Sequence, residues 1–176
     1  MSKVLLLLLS LSLMRPVMAV LDPGRAPQAP DFPPRQAGEW INSPPLKLVD
    51  LRGRVVLLDF WTYGCVNCVR SIPWLKTVEH RYGPRGLALI GVHTPEFPHE
   101  KDPARVLEKV REFGINHPVM LDNDHRYWKA MRNRAWPAFY LIDKAGRLRA
   151  VWWGETHIGD RQAKRIEAAI ERLLKE

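Results

Sequence analysis

One stretch of the sequence constrains the fold more than any other: an apolar run followed within a few residues by two cysteines. Residues 55–60 (VVLLDF) have the length and β-branched content of a buried strand. Residues 69–79 carry apolar side chains on one side of a predicted helix. Cys65 and Cys68 therefore lie where a strand passes into a helix N-terminus, close enough to close and reopen a disulfide.

This position predicts a redox centre. Backbone N–H groups and the helix dipole stabilise a thiolate there, so the thiol pKa falls below its free value of about 8.5. We expect Cys65, at the exposed start of the helix, to attack, and Cys68, one turn inside, to resolve the mixed disulfide. Apart from this redox-active disulfide, no cofactor is expected.

Two structural alternatives compete with the redox centre. A purely structural disulfide is one, but the small C-x-x-C ring would constrain the unfolded chain little. Half of a zinc site is the other, but structural zinc takes four Cys or His ligands and the chain has only two cysteines. We therefore expect no metal site.

Further features stand in order along the chain around the cysteine pair. An acid stands six residues before the first cysteine, a proline five residues after the second, and a Trp-Pro pair before an apolar strand: Asp59, Pro73 and Trp136-Pro137. In these features the chain resembles the thioredoxin superfamily. From about residue 46 onward the chain resembles the bacterial envelope thioredoxin-like proteins of the TlpA and ResA kind. Residues 90–97 (IGVHTPEF) and 121–124 (LDND) are most similar to the thioredoxin-like domain of DipZ proteins.

The order of predicted elements agrees with an α/β thioredoxin fold. Such a fold is a central mixed sheet flanked by helices, here with an inserted strand–helix unit and a short N-terminal β extension. Strands are predicted at 40–41, 46–48, 55–60, 87–92, 118–121, 138–142 and 147–153. Helices are predicted after Cys68, at 103–113, at 125–131 and after Asp160.

The N-terminal residues predict export. Residues 1–19 have the pattern of a signal peptide, with Lys3, an apolar run at 4–13 and a small residue, Ala19, at the cleavage position. That run is shorter than the ~20 residues that span a bilayer, although an uncleaved anchor is the alternative. Residues 20–38 are rich in proline and predict an extended linker without a core, followed by one thioredoxin-like domain at 39–176.

The charge of the chain predicts a basic surface rather than a nucleic-acid site. The formal net charge is +8, and removal of residues 1–19 with Lys3 and Arg15 leaves about +6. The arginines are scattered rather than clustered, and no nucleic-acid motif is found among them. Acidic partners or anionic lipid headgroups would suit such a surface.

The resemblance implies that Asp59 accepts the proton of Cys68. A carboxyl group on a buried strand has a raised pKa, which suits it to this task near neutral pH. The alternative is an aspartate at a strand end that is simply solvated.

The sequence departs from the family around this acid. Thioredoxins pair it with a lysine on the next strand, and residues 87–92 contain none. ResA-like proteins carry a glutamate three residues after the second cysteine, where this chain has Ser71. His93 and Glu96 follow the next strand, so we name them as residues that tune the acid.

The resemblance also implies a substrate-binding surface. A cis peptide bond at Pro137 would expose the backbone of Trp136 to an added substrate strand beside the sulfur atoms. Trp61, Tyr63 and Trp136 are predicted to form an aromatic surface around Cys65, with core packing as the simpler role of Trp61.

The leading functional hypothesis is an exported thiol–disulfide oxidoreductase that acts on protein thiols and disulfides. By resemblance it is a reductase of envelope protein disulfides in the periplasm or on the extracytoplasmic face of the membrane. Relatives receive electrons from a membrane thiol carrier and serve cytochrome c maturation or disulfide repair. We expect a monomer.

Two other hypotheses are kept. A thiol peroxidase, with Cys65 as the peroxidatic residue, is suggested by Thr62-x-x-Cys65, although Leu58 stands where the peroxiredoxin motif has proline. A copper chaperone of the Sco type would bind Cu(I) with two thiolates and His93 or His99. Sco proteins space their cysteines by one more residue.

Overall fold

The computed structural model describes residues 26–176. Six strands form one mixed sheet in the order β1-β4-β3-β2-β5-β6. β2, β3 and β4 are mutually parallel, whereas β1, β5 and β6 run antiparallel to their neighbours. The strands are β1 (Trp40–Ile41), β2 (Val55–Trp61), β3 (Leu87–His93), β4 (Val119–Leu121), β5 (Ala138–Ile142) and β6 (Leu148–Trp153). The predicted mixed sheet with an inserted strand–helix unit is confirmed.

Four α-helices pack on this sheet: α1 (Val66–Tyr82), α2 (Pro103–Glu112), α3 (Arg126–Ala130) and α4 (Arg161–Lys175). Two of them begin at the aspartates expected to cap them. The Asp102 carboxylate accepts the N–H of Ala104, and that of Asp160 accepts the N–H of Ala163. Gly114 follows α2 with a φ of 62°, a conformation that favours glycine and ends the helix.

The predicted strand at 46–48 is wrong. Leu48–Leu51 form a turn of 3-10 helix instead. The N–H of Leu48 donates to the Asp31 carboxylate, 2.6 Å away, so its hydrogen bond goes to a side chain rather than to a neighbouring strand.

The sheet has an apolar core on each face. All seven residues of β2 are buried, as expected for a central strand, and alternate residues belong to opposite cores. Val55 and Leu57 pack with α1 and α4, whereas Val56, Leu58 and Phe60 pack on the other face. Cys68 joins a third cluster with residues of α2, at the carboxyl end of β2.

Residues 27–35 lie within the segment predicted to be a linker without a core, but they pack on the domain. Phe32 is buried in the second core, with its ring centroid 5.4 Å from that of Trp40 and 5.1 Å from that of Tyr127. The guanidinium group of Arg35 lies 2.8 Å from Asp122 Oδ1. Backbone hydrogen bonds join residues 27 and 29 to the β5–β6 turn. One aromatic and one arginine side chain therefore dock a proline-rich segment that composition alone marks as loose.

The predicted signal peptide, residues 1–19, lies outside the described residues. Within residues 26–176, no helix is both long and apolar enough to cross a lipid bilayer.

Candidate active site

Cys65 and Cys68 lie at the start of α1, immediately after the carboxyl end of β2. Their sulfur atoms form a disulfide, and their Cα atoms are 5.3 Å apart. Cys65 is the N-cap of α1, and its Sγ accepts the backbone N–H of Cys68 at 3.2 Å. Cys65 is half-buried, whereas Cys68 is only 2% exposed. This asymmetry permits a partner to reach Cys65 and not Cys68.

A buried glutamate that the sequence analysis did not identify holds the loop before Cys65. The Glu100 side chain accepts the N–H of Gly64 at 3.0 Å, and those of Glu96 and Phe97 at 2.6 and 2.9 Å. A Cβ atom at Gly64 would overlap Glu100 Oε1, so only glycine permits this contact. Burial alone would raise the pKa of Glu100, but its hydrogen bonds, from the backbone and from the Thr62 hydroxyl, hold that pKa below its usual value.

Asp59 lies on β2 between Gly91 of β3 and Phe139 of β5. The residue is 4% exposed, and its Oδ1 has no hydrogen-bond partner among the described residues. Burial raises the pKa of Asp59 to about 8. Asp59 is thus a buried acid rather than a solvated aspartate at a strand end, and it titrates in the range in which thiols ionise.

His93 and Glu96 do not pair with Asp59. In the sheet, Asp59 pairs with Gly91 and Trp61 pairs with His93. His93 therefore lies two residues along β3 from the partner of Asp59, on the same face of the sheet. Its ring stacks on that of Tyr63 with centroids 5.7 Å apart, and burial lowers its pKa to about 4. The side chain of Glu96 is exposed. The tuning role that we assigned to these two residues therefore lacks the direct contact it would need.

The prediction that Trp61 forms part of the aromatic surface around Cys65 is wrong. Trp61 is 1% exposed, and its indole lies in the core against the ring of His93, 5.2 Å away between centroids. The side chains of β2 alternate between the faces of the sheet, so this position points toward the core beneath α1 and α2.

Of the predicted substrate-binding residues, Tyr63 and Trp136 pack against the cluster that contains Cys68, and Pro137 follows Trp136 in a buried position. Tyr63 and Trp136 are half-buried and pack in one cluster with Cys65. The Trp136-Pro137 peptide bond is cis. The indole N–H of Trp136 donates to the Thr94 carbonyl oxygen at 3.0 Å, which fixes the ring beside the site. Two aromatic side chains, rather than the predicted three, are therefore half-buried in the cluster that includes Cys65.

Ser71, where ResA-like proteins have glutamate, plays a structural part. Its hydroxyl donates to the Asn67 carbonyl oxygen and accepts the N–H of Thr156, at 2.9 and 3.0 Å. In the described part of the chain, no group of three or more His, Cys, Asp or Glu side chains is arranged to hold a metal ion.

Comparison with known proteins agrees with this architecture. Residues 27–151 match the model of the AhpC/TSA family. The protein DipZ of Mycobacterium tuberculosis is 48% identical over 138 residues, which cover 77% of this chain and 19% of DipZ. The thiol-disulfide oxidoreductase YkuV of Bacillus subtilis is 28% identical, covering 81% of this chain and 94% of YkuV. The chain thus spans about a fifth of the length of DipZ but nearly all of YkuV.

Solved structures share the fold. The crystal structure of a thioredoxin-like superfamily protein superposes with a TM-score of 0.76 at 31% identity, covering 86% of this chain and 98% of that one. A thiol-disulfide isomerase from Corynebacterium glutamicum gives a TM-score of 0.70 at 26% identity, covering 84% and 97%. The thioredoxin-like fold expected from the sequence is confirmed.

Proposed function

The chain belongs to the AhpC/TSA family and to the thioredoxin-like superfamily, and from this membership we propose that it is a thiol–disulfide oxidoreductase that reduces disulfides of exported proteins. One observation carries the proposal. At the N-terminus of a helix, an accessible cysteine and a buried cysteine are bonded to each other. A pair arranged in this way forms and breaks a disulfide in turn with a partner.

In the proposed cycle, the Cys65 thiolate attacks a substrate disulfide, and one substrate sulfur leaves as a thiolate. Before this attack, the helix N-terminus and the backbone N–H of Cys68 stabilise the negative charge on Cys65 Sγ. In molecules whose Asp59 is ionised, Cys68 then transfers its proton to that carboxylate and attacks Cys65 Sγ, so the second substrate sulfur leaves with the electron pair. The protein dithiol is oxidised to the observed disulfide, and the substrate disulfide is reduced to two thiols.

We propose that substrate backbone docks beside the cis peptide bond at Pro137, between the aromatic rings of Tyr63 and Trp136. The half-buried rings supply apolar contact area next to Cys65. The resemblance to envelope proteins, together with the signal-like pattern at residues 1–19, supports a location outside the cytoplasm. A membrane thiol carrier is then the electron donor that would reduce the protein again.

The trapping experiment uses the full chain with Cys68→Ala, expressed with its own N-terminus. Without Cys68 the mixed disulfide cannot be resolved, so we expect Cys65 to remain bonded to its partners, which mass spectrometry identifies. The matched control is Cys65→Ala, in which the remaining thiol is 2% exposed and should capture little.

Exported proteins or a membrane thiol carrier bonded to Cys65 would support the proposal. If the variant captures nothing while the reduced wild type consumes peroxide rapidly, the thiol peroxidase hypothesis replaces it.

A further inference from the structure

Three buried polar atoms that have no hydrogen-bond partner within residues 26–176 belong to side chains around Gly91, on the face of the sheet beneath α1. They are Asp59 Oδ1, Trp61 Nε1 and His117 Nε2. Trp61 Nε1 and Val119 Cγ2 each lie 3.1 Å, and His117 Nε2 lies 3.5 Å, from the point where a Cβ atom of residue 91 would stand. Asp59 is the neighbour of Gly91 on the adjacent strand, and neighbouring strands lie about 4.8 Å apart.

The chemistry of these atoms is complementary. An indole N–H can only donate a hydrogen bond. His117 Nδ1 lies 3.4 Å from Glu79 Oε2, a contact that in the neutral imidazole favours the tautomer with the hydrogen on Nδ1 and leaves Nε2 as an acceptor. A water molecule over Gly91 would accept from Trp61, donate to His117 and bond to Asp59. Buried waters typically make about three hydrogen bonds of this kind.

A route from this cluster to solvent runs through Glu79. The His117 side chain is 4% exposed, whereas that of Glu79 is 31% exposed. Both residues line a cavity of about 300 Å³ beside the first half of β3. This half of β3 has no neighbouring strand on that side, because β4 pairs only with residues 91–93. The Asn42 side chain donates to the carbonyl oxygen of His117 at 3.1 Å and so fixes this segment.

We propose that His117 and Glu79 form the path by which Asp59 exchanges its proton with solvent, through a water molecule held over Gly91. The inference rests on the proposed oxidoreductase function. After Cys68 has given its proton to Asp59, that proton passes through the water to His117 Nε2, and the proton on Nδ1 passes to Glu79. His117 and Glu79 act through Asp59 and are positioning residues.

Of the other charged groups near this path, Arg54 also lines the cavity, but its guanidinium group donates to the Leu87 carbonyl oxygen at 2.6 Å and has no lone pair to accept a proton. On the same face, β3 presents Gly91 and then His93, which contacts Trp61 and Tyr63. β5 presents Phe139. From α1 come Cys68, Glu79 and Lys76, whose Nζ lies against Gly114. Burial is the cause of the raised pKa of Asp59, without a charged neighbour.

The test follows the two cysteines separately. Reduced protein is mixed with the aromatic disulfide DTNB in a stopped-flow instrument: attack by Cys65 releases one coloured thiolate, and resolution by Cys68 releases the second. For His117→Ala we expect the first release to be unchanged and the second to slow about tenfold, below the ~100-fold typical of losing a direct acid–base group. Imidazole in the buffer should restore the second release, because the cavity beside residue 117 admits it.

Glu79→Gln keeps a hydrogen bond to His117 but cannot accept a proton, so it should slow the second release less than His117→Ala. It also tests the path should His117→Ala fail to fold. His80→Ala, on the exposed side of α1, is the matched control and should leave both releases unchanged.

The outcomes separate the two proposals. If the wild type itself shows no second release, the oxidoreductase function fails. If the wild type resolves normally and neither variant slows resolution, only the proton path fails. In a third outcome, His117→Ala slows the second release, imidazole does not restore it and its pH dependence is unchanged. That result would assign His117 a purely structural role.

Discussion

Glu100 shows how one side chain organises the loop that presents the reactive cysteine. Its carboxylate is fully buried and accepts three backbone N–H groups, including that of Gly64 next to Cys65. Buried donors that lose their acceptor cost about 1–3 kcal/mol each. The loop between β2 and α1 therefore depends on a residue 36 positions away from it in the sequence.

We expect Glu100→Gln to lower the free energy of unfolding by about 2 kcal/mol at pH 7, because the amide NH₂ group would face N–H donors. The hydrogen bonds hold the pKa of Glu100 below its unfolded value, so its stabilisation is present above that value and is lost as the pH falls through the folded pKa. Urea unfolding at pH 7 and pH 3 measures both effects. The deficit of the variant should shrink at pH 3.

Glu96→Gln is the control for this measurement, since the side chain of Glu96 is exposed and only its backbone N–H reaches Glu100. Equal stabilities of wild type and Glu100→Gln at pH 7 would show that the loop holds without the carboxylate.

Among the elements, the segment at 27–35 has the largest energetic consequence that the sequence did not suggest. Phe32 fills a position between Trp40 and Tyr127, so the segment contributes to the core on the face opposite α1 and α4. We expect Phe32→Ala to lower the free energy of unfolding by about 3 kcal/mol, measured by urea denaturation.

Phe97→Ala is the matched control, because Phe97 is 50% exposed and its loss should change stability by less than about 0.5 kcal/mol. A Phe32→Ala protein as stable as the wild type would mean that the segment only rests on the surface.

Elements whose signals are local were predictable. The apolar run of β2, the aspartate caps of α2 and α4, and the hairpin of β5 and β6 each depend on residues within a few positions of one another. The turn at Leu48–Leu51 was mispredicted, since its conformation depends on Asp31 from a segment with no apolar period of its own.

At the scale of the whole molecule, the buried carboxyl group of Asp59 makes the free energy of unfolding depend on pH. Its pKa is raised from 3.8 to about 8, so the native state holds a proton that the unfolded state releases. The raised pKa therefore does not change the free energy of unfolding below about pH 4 and lowers it increasingly as the pH rises to about 8. Above that pH the loss of stability is constant. Asp59→Asn should remove this dependence.

We expect Asp59→Asn to be more stable than the wild type at pH 9, by at most about 6 kcal/mol, and to differ little at pH 4. Urea unfolding of the oxidised proteins at both pH values measures the difference. A constant difference across this range would show that Asp59 is not the group that titrates.

The site as a whole was only partly visible in the sequence. Cys65, Cys68 and Asp59 stand close together in the chain, so the sequence singles them out as candidates, and their catalytic roles stay predictions. Glu100 and His117 reach the site from distant segments, through contacts that only the folded sheet creates. Nothing in their local sequence distinguishes them from surface residues, and the fully buried position of Trp61 depends equally on packing.

The hydrogen bonds of residues 27 and 29, to the first residue of β6 and to the β5–β6 turn, fix where this segment lies relative to the disulfide. That turn follows Ile142, which pairs with Val56 near the start of β2, whereas Cys65 follows the end of β2 about 20 Å away. The backbone thus joins the domain at the pole remote from the sulfur atoms. An attachment near residue 27, to a surface or to another protein, would therefore lie at the end of the domain opposite Cys65 and leave the disulfide accessible to a partner.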